Sequence, residues 1–145
     1  MKLACVFPGQ GSQSVGMLNG FAERPEVQAL IETADRALAE SLSRLIAEGP
    51  ADVLGQTVHT QPAMVLAGIA CYTAWRQAGG PEPVVFAGHS LGEYTALTAA
   101  GAFDFDQALR LVRIRAQAMQ EAVPLGSGTM AAILGLDDDL SLIHI

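Results

Sequence analysis

Gly88-His89-Ser90-Leu91-Gly92 has the spacing G-x-S-x-G. Glycines flanking a serine let a chain turn sharply from a strand into a helix, where larger side chains would clash. Such a turn exposes the serine hydroxyl and aims the next N–H, that of Leu91, at the same spot. A tetrahedral oxyanion is then held by that N–H and by the helix N-terminus. The pentapeptide alone recurs by chance, but here an apolar run, Val84–Ala87, precedes it and a small-residue helical stretch follows. Ser90 is the expected nucleophile. Its base is harder to find. His89 is adjacent, but neighbours in an extended segment point to opposite sides, so it reads as packed beneath or beside the pocket. His59 precedes Thr60-Gln61-Pro62 at a helix entry and reads as a loop or capping residue. A serine without a base has almost no alkoxide at neutral pH.

Arg115 is the second informative residue. On a helical wheel from Phe105, residues Asp106, Arg110, Arg113, Gln117, Gln120 and Glu121 share one polar arc. Arg115 lies in the opposite, apolar arc between Leu111 and Ala108, an arc expected to be mostly buried. A buried guanidinium needs a carboxylate partner, either an internal Asp or Glu or the carboxylate of a ligand.

The elements that must position these residues follow from the hydrophobic pattern. Leu3–Phe7 and Val84–Ala87 are short apolar runs bounded by breakers, expected as strands buried on both faces. Pro25 opens a helix whose stripe of Val27, Leu30, Ile31, Ala34 and Leu38 continues through Leu42, Leu45 and Ile46 to Gly49-Pro50. Pro62 is expected to open a second, deeply packed helix that Gly79-Gly80 closes. Asp104 and Gln107 form a D-x-x-Q capping box for a helix reaching about Ala122. Thr129–Leu134 reads as a last strand. Short apolar strands alternating with helices predict an α/β fold with a parallel sheet.

Composition narrows the function. The 145 residues are half apolar, with 8 Lys+Arg against 15 Asp+Glu and a net charge of −7. An acidic chain lacks the footprint of a nucleic-acid binder. No apolar run is long enough to span a membrane, and Pro8-Gly9 interrupts the only N-terminal apolar stretch. Cys5 and Cys71 sit far apart in apolar segments, with no metal-ligand spacing. They read as buried, reduced thiols of a cytoplasmic protein.

Together, Phe7-Pro8-Gly9-Gln10-Gly11-Ser12-Gln13, Gln61-Pro62-Ala63, Gly88 through Tyr94, and Arg115 through Gln120 resemble the malonyl-CoA:acyl carrier protein transacylases from Lys2 to Asp138. The resemblance implies a hydrolase-like acyltransferase core in which Ser90 takes a malonyl group from malonyl-CoA as an ester. The phosphopantetheine thiol of acyl carrier protein then receives it, in fatty acid biosynthesis. It implies an oxyanion hole from the N–H groups of Gln10 and Leu91, Arg115 on the malonate carboxylate, and Gln61 and His89 lining the pocket. It implies no cofactor, no metal, and a monomeric full-length enzyme. Family members are about twice this length and carry the base histidine in their second half. Residues 1–127 would then be the N-terminal part of the core and 128–139 the start of a ferredoxin-like subdomain. Residues 140–145 read as a translated sequencing adapter, which leaves His144 without a role. Acyltransferase domains of polyketide synthases share these motifs and remain the nearest alternative. A serine esterase has no use for Gln10-Gly11-Ser12-Gln13 or Arg115, and a non-catalytic binding module is the third reading.

Overall fold

The apolar run near the start forms β1, Ala4–Phe7, and the run before the serine forms β2, Val85–Gly88. They were located in a computed structural model that describes residues 2–123, 127 and 135. The strands pair in parallel, Ala4 opposite Val85 and Phe7 opposite Gly88. Parallel neighbours need a long crossover. Here it consists of α1 (Pro25–Leu38), α2 (Leu42–Glu48), α3 (Ala51–Leu54) and α4 (Thr57–Gln77). After β2 come α5 (Gly92–Ala99) and α6 (Phe105–Ala122). The α/β class and the parallel pairing agree with the sequence pattern.

The strands are not buried on both faces. Cys5 and Phe7 alternate with the exposed Ala4 and Val6, and Val6 is 70% exposed. Val84 and Val85 are 66% and 53% exposed. Phe7 and Phe86 meet the ring of Tyr72 on α4 edge-on, so one face of the pair is covered. The cysteines also depart from expectation: both are free, but Cys5 is half-buried and Cys71 exposed. They line an open groove of about 370 Å³ with Phe7, Met64, Tyr72 and Trp75, and partial burial pushes both thiols up.

Pro25 begins α1 as its first residue, but the stripe does not continue as one helix. Ala39 takes a left-handed φ of 52° and ends α1. The link is fixed by Asp35, whose carboxylate accepts from the Ser43 N–H at 2.9 Å and the Ser43 hydroxyl at 2.5 Å. The α4 helix starts five residues before Pro62, because the His59 and Thr60 N–H groups already bond the Gln56 carbonyl. Pro62 is therefore internal and costs one rung of the ladder, at the Val58 carbonyl. Residues 60–67 of α4 are all buried, and this helix is the centre of the core, packed on α1, α5 and α6. The α6 helix has the expected bounds, but Asp104 caps it by backbone geometry alone, without the side-chain bond of a capping box. No helix among the described residues is long and apolar enough to cross a membrane. The expected strand at 129–134, the subdomain start at 128–139 and the tail at 140–145 lie outside the described residues.

Candidate active site

Because β1 and β2 are parallel neighbours, the loops leaving their C-terminal ends emerge at the same edge. That edge is where open α/β sheets bind ligands. One loop carries Gln10, the other Ser90. The turn at Ser90 is as sharp as the motif demands. A Cβ on Gly88 would stand 1.9 Å from the Gly92 carbonyl oxygen, and one on Gly92 would stand 2.4 Å from the Phe7 oxygen. Only glycine lets the helix start approach the strands this closely. Ser90 itself has φ 55°, a left-handed conformation rare for a side-chain-bearing residue and characteristic of a nucleophile elbow. Its hydroxyl lies on the exposed rim, while Leu91 is buried to 1%.

Two residues from distant helices converge on that hydroxyl. Arg115 of α6 donates from Nη2 to Ser90 Oγ at 2.9 Å and from Nη1 to Gln61 Oε1 at 2.7 Å. Gln61 is 1% exposed, and its amide Nε2 reaches the Met119 sulfur at 3.3 Å. The guanidinium also stands 5.9 Å above the Tyr94 ring. Among the described residues, no Asp or Glu lies within ion-pair distance of Arg115. Of the two partners left open by the sequence, the internal carboxylate is not found here.

The remaining candidates sit as follows. Gln10 is exposed in its loop and anchored by its side chain, Nε2 donating to Thr57 Oγ1 of α4 at 3.2 Å. His89 lies against Gly9, whose hypothetical Cβ would be 2.8 Å from Nδ1; of the two placements read from the sequence it is exposed beside the Gly9 loop and not buried beneath it. No described histidine hydrogen-bonds the Ser90 hydroxyl. His59 is a helical residue of α4, half-buried, 3.9 Å from Glu40. The α6 arc around Arg115 is less buried than expected, with Leu111 and Ile114 at 43% and 63% exposure. Conversely, Arg113 of the polar arc is half-buried and ion-paired to Glu40. Thr57, Tyr94 and Glu40 were not legible as site neighbours. Thr57 lies 47 residues from Gln10, and Glu40 lies 73 residues from Arg113, with no local pattern linking them.

The acyl transferase domain family matches this chain over residues 4–141. The malonyl CoA-acyl carrier protein transacylase of Escherichia coli K12 is 53% identical over 138 residues, covering 94% of this chain and 45% of that protein. The crystal structure of the acyl-carrier-protein S-malonyltransferase from Burkholderia pseudomallei 1710b superposes with a TM-score of 0.89 at 64% identity, covering 97% of this chain and 46% of that one. A malonyl-transacylase solved in complex with a type II PKS acyl-carrier protein superposes at 0.88 with 47% identity, covering 96% and 45%. The chain thus spans about 45% of the length of these relatives. With this coverage and identity, and with the serine elbow in place, the chain belongs to the acyl transferase domain family.

Proposed function

We propose that this chain is the N-terminal part of an S-malonyltransferase that moves a malonyl group from malonyl-CoA to the phosphopantetheine thiol of acyl carrier protein. The observation that carries the reading is the guanidinium of Arg115 beside the Ser90 hydroxyl, held by a neutral glutamine and, among the described residues, without a carboxylate partner. In a malonyl ester on Ser90, only a carbonyl carbon and a methylene separate Oγ from the free carboxylate. A cation already within hydrogen-bond distance of Oγ is placed to receive that carboxylate bidentately. An acetyl group would leave the cation unpaired, which gives the site its selectivity.

In the first half-reaction Ser90 Oγ attacks the thioester carbon, the C–O bond forms, and the C–S bond to coenzyme A breaks. The serine proton passes to a base and then to the departing sulfur. In the second half the carrier thiol gives its proton to the base and attacks the ester carbon; the new C–S bond forms, the C–O bond to Ser90 breaks, and the base returns that proton to Ser90 Oγ. The tetrahedral oxyanion of each half is received by the N–H groups of Gln10 and Leu91, at the ends of the paired strands. The base belongs to the portion of the relatives this chain does not span. On the same reading residues 1–127 are the first part of a hydrolase-like core and 128–139 open a ferredoxin-like subdomain. A full-length protein containing this chain, mixed with malonyl-CoA and no carrier, is expected to gain one malonyl group on the peptide bearing Ser90 by mass spectrometry. Ser90→Ala is expected to gain none. A stable adduct elsewhere, or none on the parent, would end the proposal.

A further inference from the structure

We propose that Glu40 is a positioning residue for the Arg115–Gln61 anion site, acting through Arg113 and His59; this rests on the malonyltransferase reading above. Arg113 Nη2 donates to Glu40 Oε1, and His59 Nδ1 stands 3.9 Å from the same oxygen. The three side chains keep only 16%, 27% and 24% of their surface exposed for Arg113, Glu40 and His59. Among the described residues Glu40 is the one acceptor the Arg113 guanidinium meets, and its Nε is buried without a partner. Such a half-buried pair holds its geometry because losing the carboxylate would strand a desolvated cation.

The placement gives this pair a consequence at the active site. Arg113 lies two residues before Arg115 on α6, and His59 two residues before Gln61 on α4. Two helical residues are about 200° apart around the axis. The same two helices are therefore bridged on one flank by Glu40 and on the opposite flank by the Arg115–Gln61 hydrogen bond. Glu40 is itself held in the short link between α1 and α2, its N–H bonding the Asp35 carbonyl at 3.2 Å. It thus sets the separation and rotation of α4 and α6, and with them the distance of the guanidinium from Ser90.

The experiment uses a full-length protein containing this chain. Malonyl and acetyl transfer, each as kcat and KM, and the thermal midpoint are measured for the parent, Glu40→Ala, Glu40→Gln, and the Glu40→Ala/Arg115→Ala pair. Glu40→Ala is expected to raise the malonyl KM by about 10- to 100-fold, the scale on which small misplacements act. Acetyl transfer should stay within about twofold of the parent, because positioning of the carboxylate clamp is all that changes. Glu40→Gln, which keeps an acceptor oxygen, should recover part of the loss. In the Arg115→Ala background Glu40→Ala should leave the malonyl/acetyl ratio unchanged, since nothing remains to position. Equal loss of both substrates, or an unchanged ratio in the single variants, would overturn the proposal whatever the thermal midpoint does. If Glu40→Ala does not fold, the Glu40→Gln ratio decides by the same criterion. A parent that transfers no malonyl group would instead overturn the functional reading itself.

Discussion

Among the described residues, Arg115 departs from what a partly buried guanidinium ordinarily does: it takes a glutamine and a serine hydroxyl instead of a carboxylate. That neutrality can be tested at Gln61. Gln61→Glu would place an internal carboxylate on Arg115 in nearly the same volume. Hydrogen bonds to charged groups are worth about 1.5–3 kcal/mol, so the incoming malonyl carboxylate should lose roughly 10- to 100-fold in kcat/KM. Acetyl transfer should be unaffected. Steady-state kinetics with both substrates measure this, and an unchanged malonyl rate would mean that Gln61 does not share the anion site. Ser90 and Arg115 were legible in the sequence because each breaks a local pattern, one by flanking glycines and one by a charge in an apolar arc. The partner of Arg113 was not legible, for a definite reason. A helical wheel shows the face a residue occupies, not the Glu40 carboxylate that another segment brings to that face.

At the scale of elements, breakers carried most of the legible information. Pro8-Gly9 and Gly88 bound the two strands, and α6 has the expected ends. The break after α1 was hidden because the left-handed residue is Ala39, not a glycine. The start of α4 was misjudged because Pro62 suits a first helical position, yet Gln56 had already nucleated the preceding turn. The elbow depends most tightly on its elements. Gly92→Ala would drive a Cβ to 2.4 Å and 2.7 Å from the Phe7 and Pro8 carbonyl oxygens, which are backbone and cannot swing aside. Forced overpacking of this kind costs about 1–3 kcal/mol. Chemical denaturation should therefore show a lower midpoint, and acylation of Ser90 should fall with it as the elbow shifts. Gly20→Ala, where nothing lies within 4 Å of the new Cβ, is the control expected to leave both unchanged. Equal midpoints for the two variants would contradict the close-approach account.

At the scale of the molecule, the sheet pair is covered on one face by Tyr72 of α4 and by α5, while Val6 and Val85 remain exposed on the other and Val84 is exposed just before β2. The exposed edge of α6 at Leu111 and Ile114 is a further apolar surface. Neither was legible from the sequence, because hydrophobic runs report that a segment can be covered and not what covers it. The chain spans about 45% of the E. coli relative, so its activity has to be measured in a full-length protein. There, the most direct measurement is the malonyl/acetyl ratio of kcat/KM for Arg115→Ala against the parent. Removing one partner of a desolvated charge pair costs roughly 2–5 kcal/mol, so malonyl transfer should fall about 30- to several-thousand-fold. Acetyl transfer should hold or improve, and Arg115→Lys should restore only part of the malonyl rate because an ammonium cannot make the forked contact. An Arg115→Ala variant that lowers both substrates equally would contradict the account, making the residue a structural brace and not the selector of the acyl group.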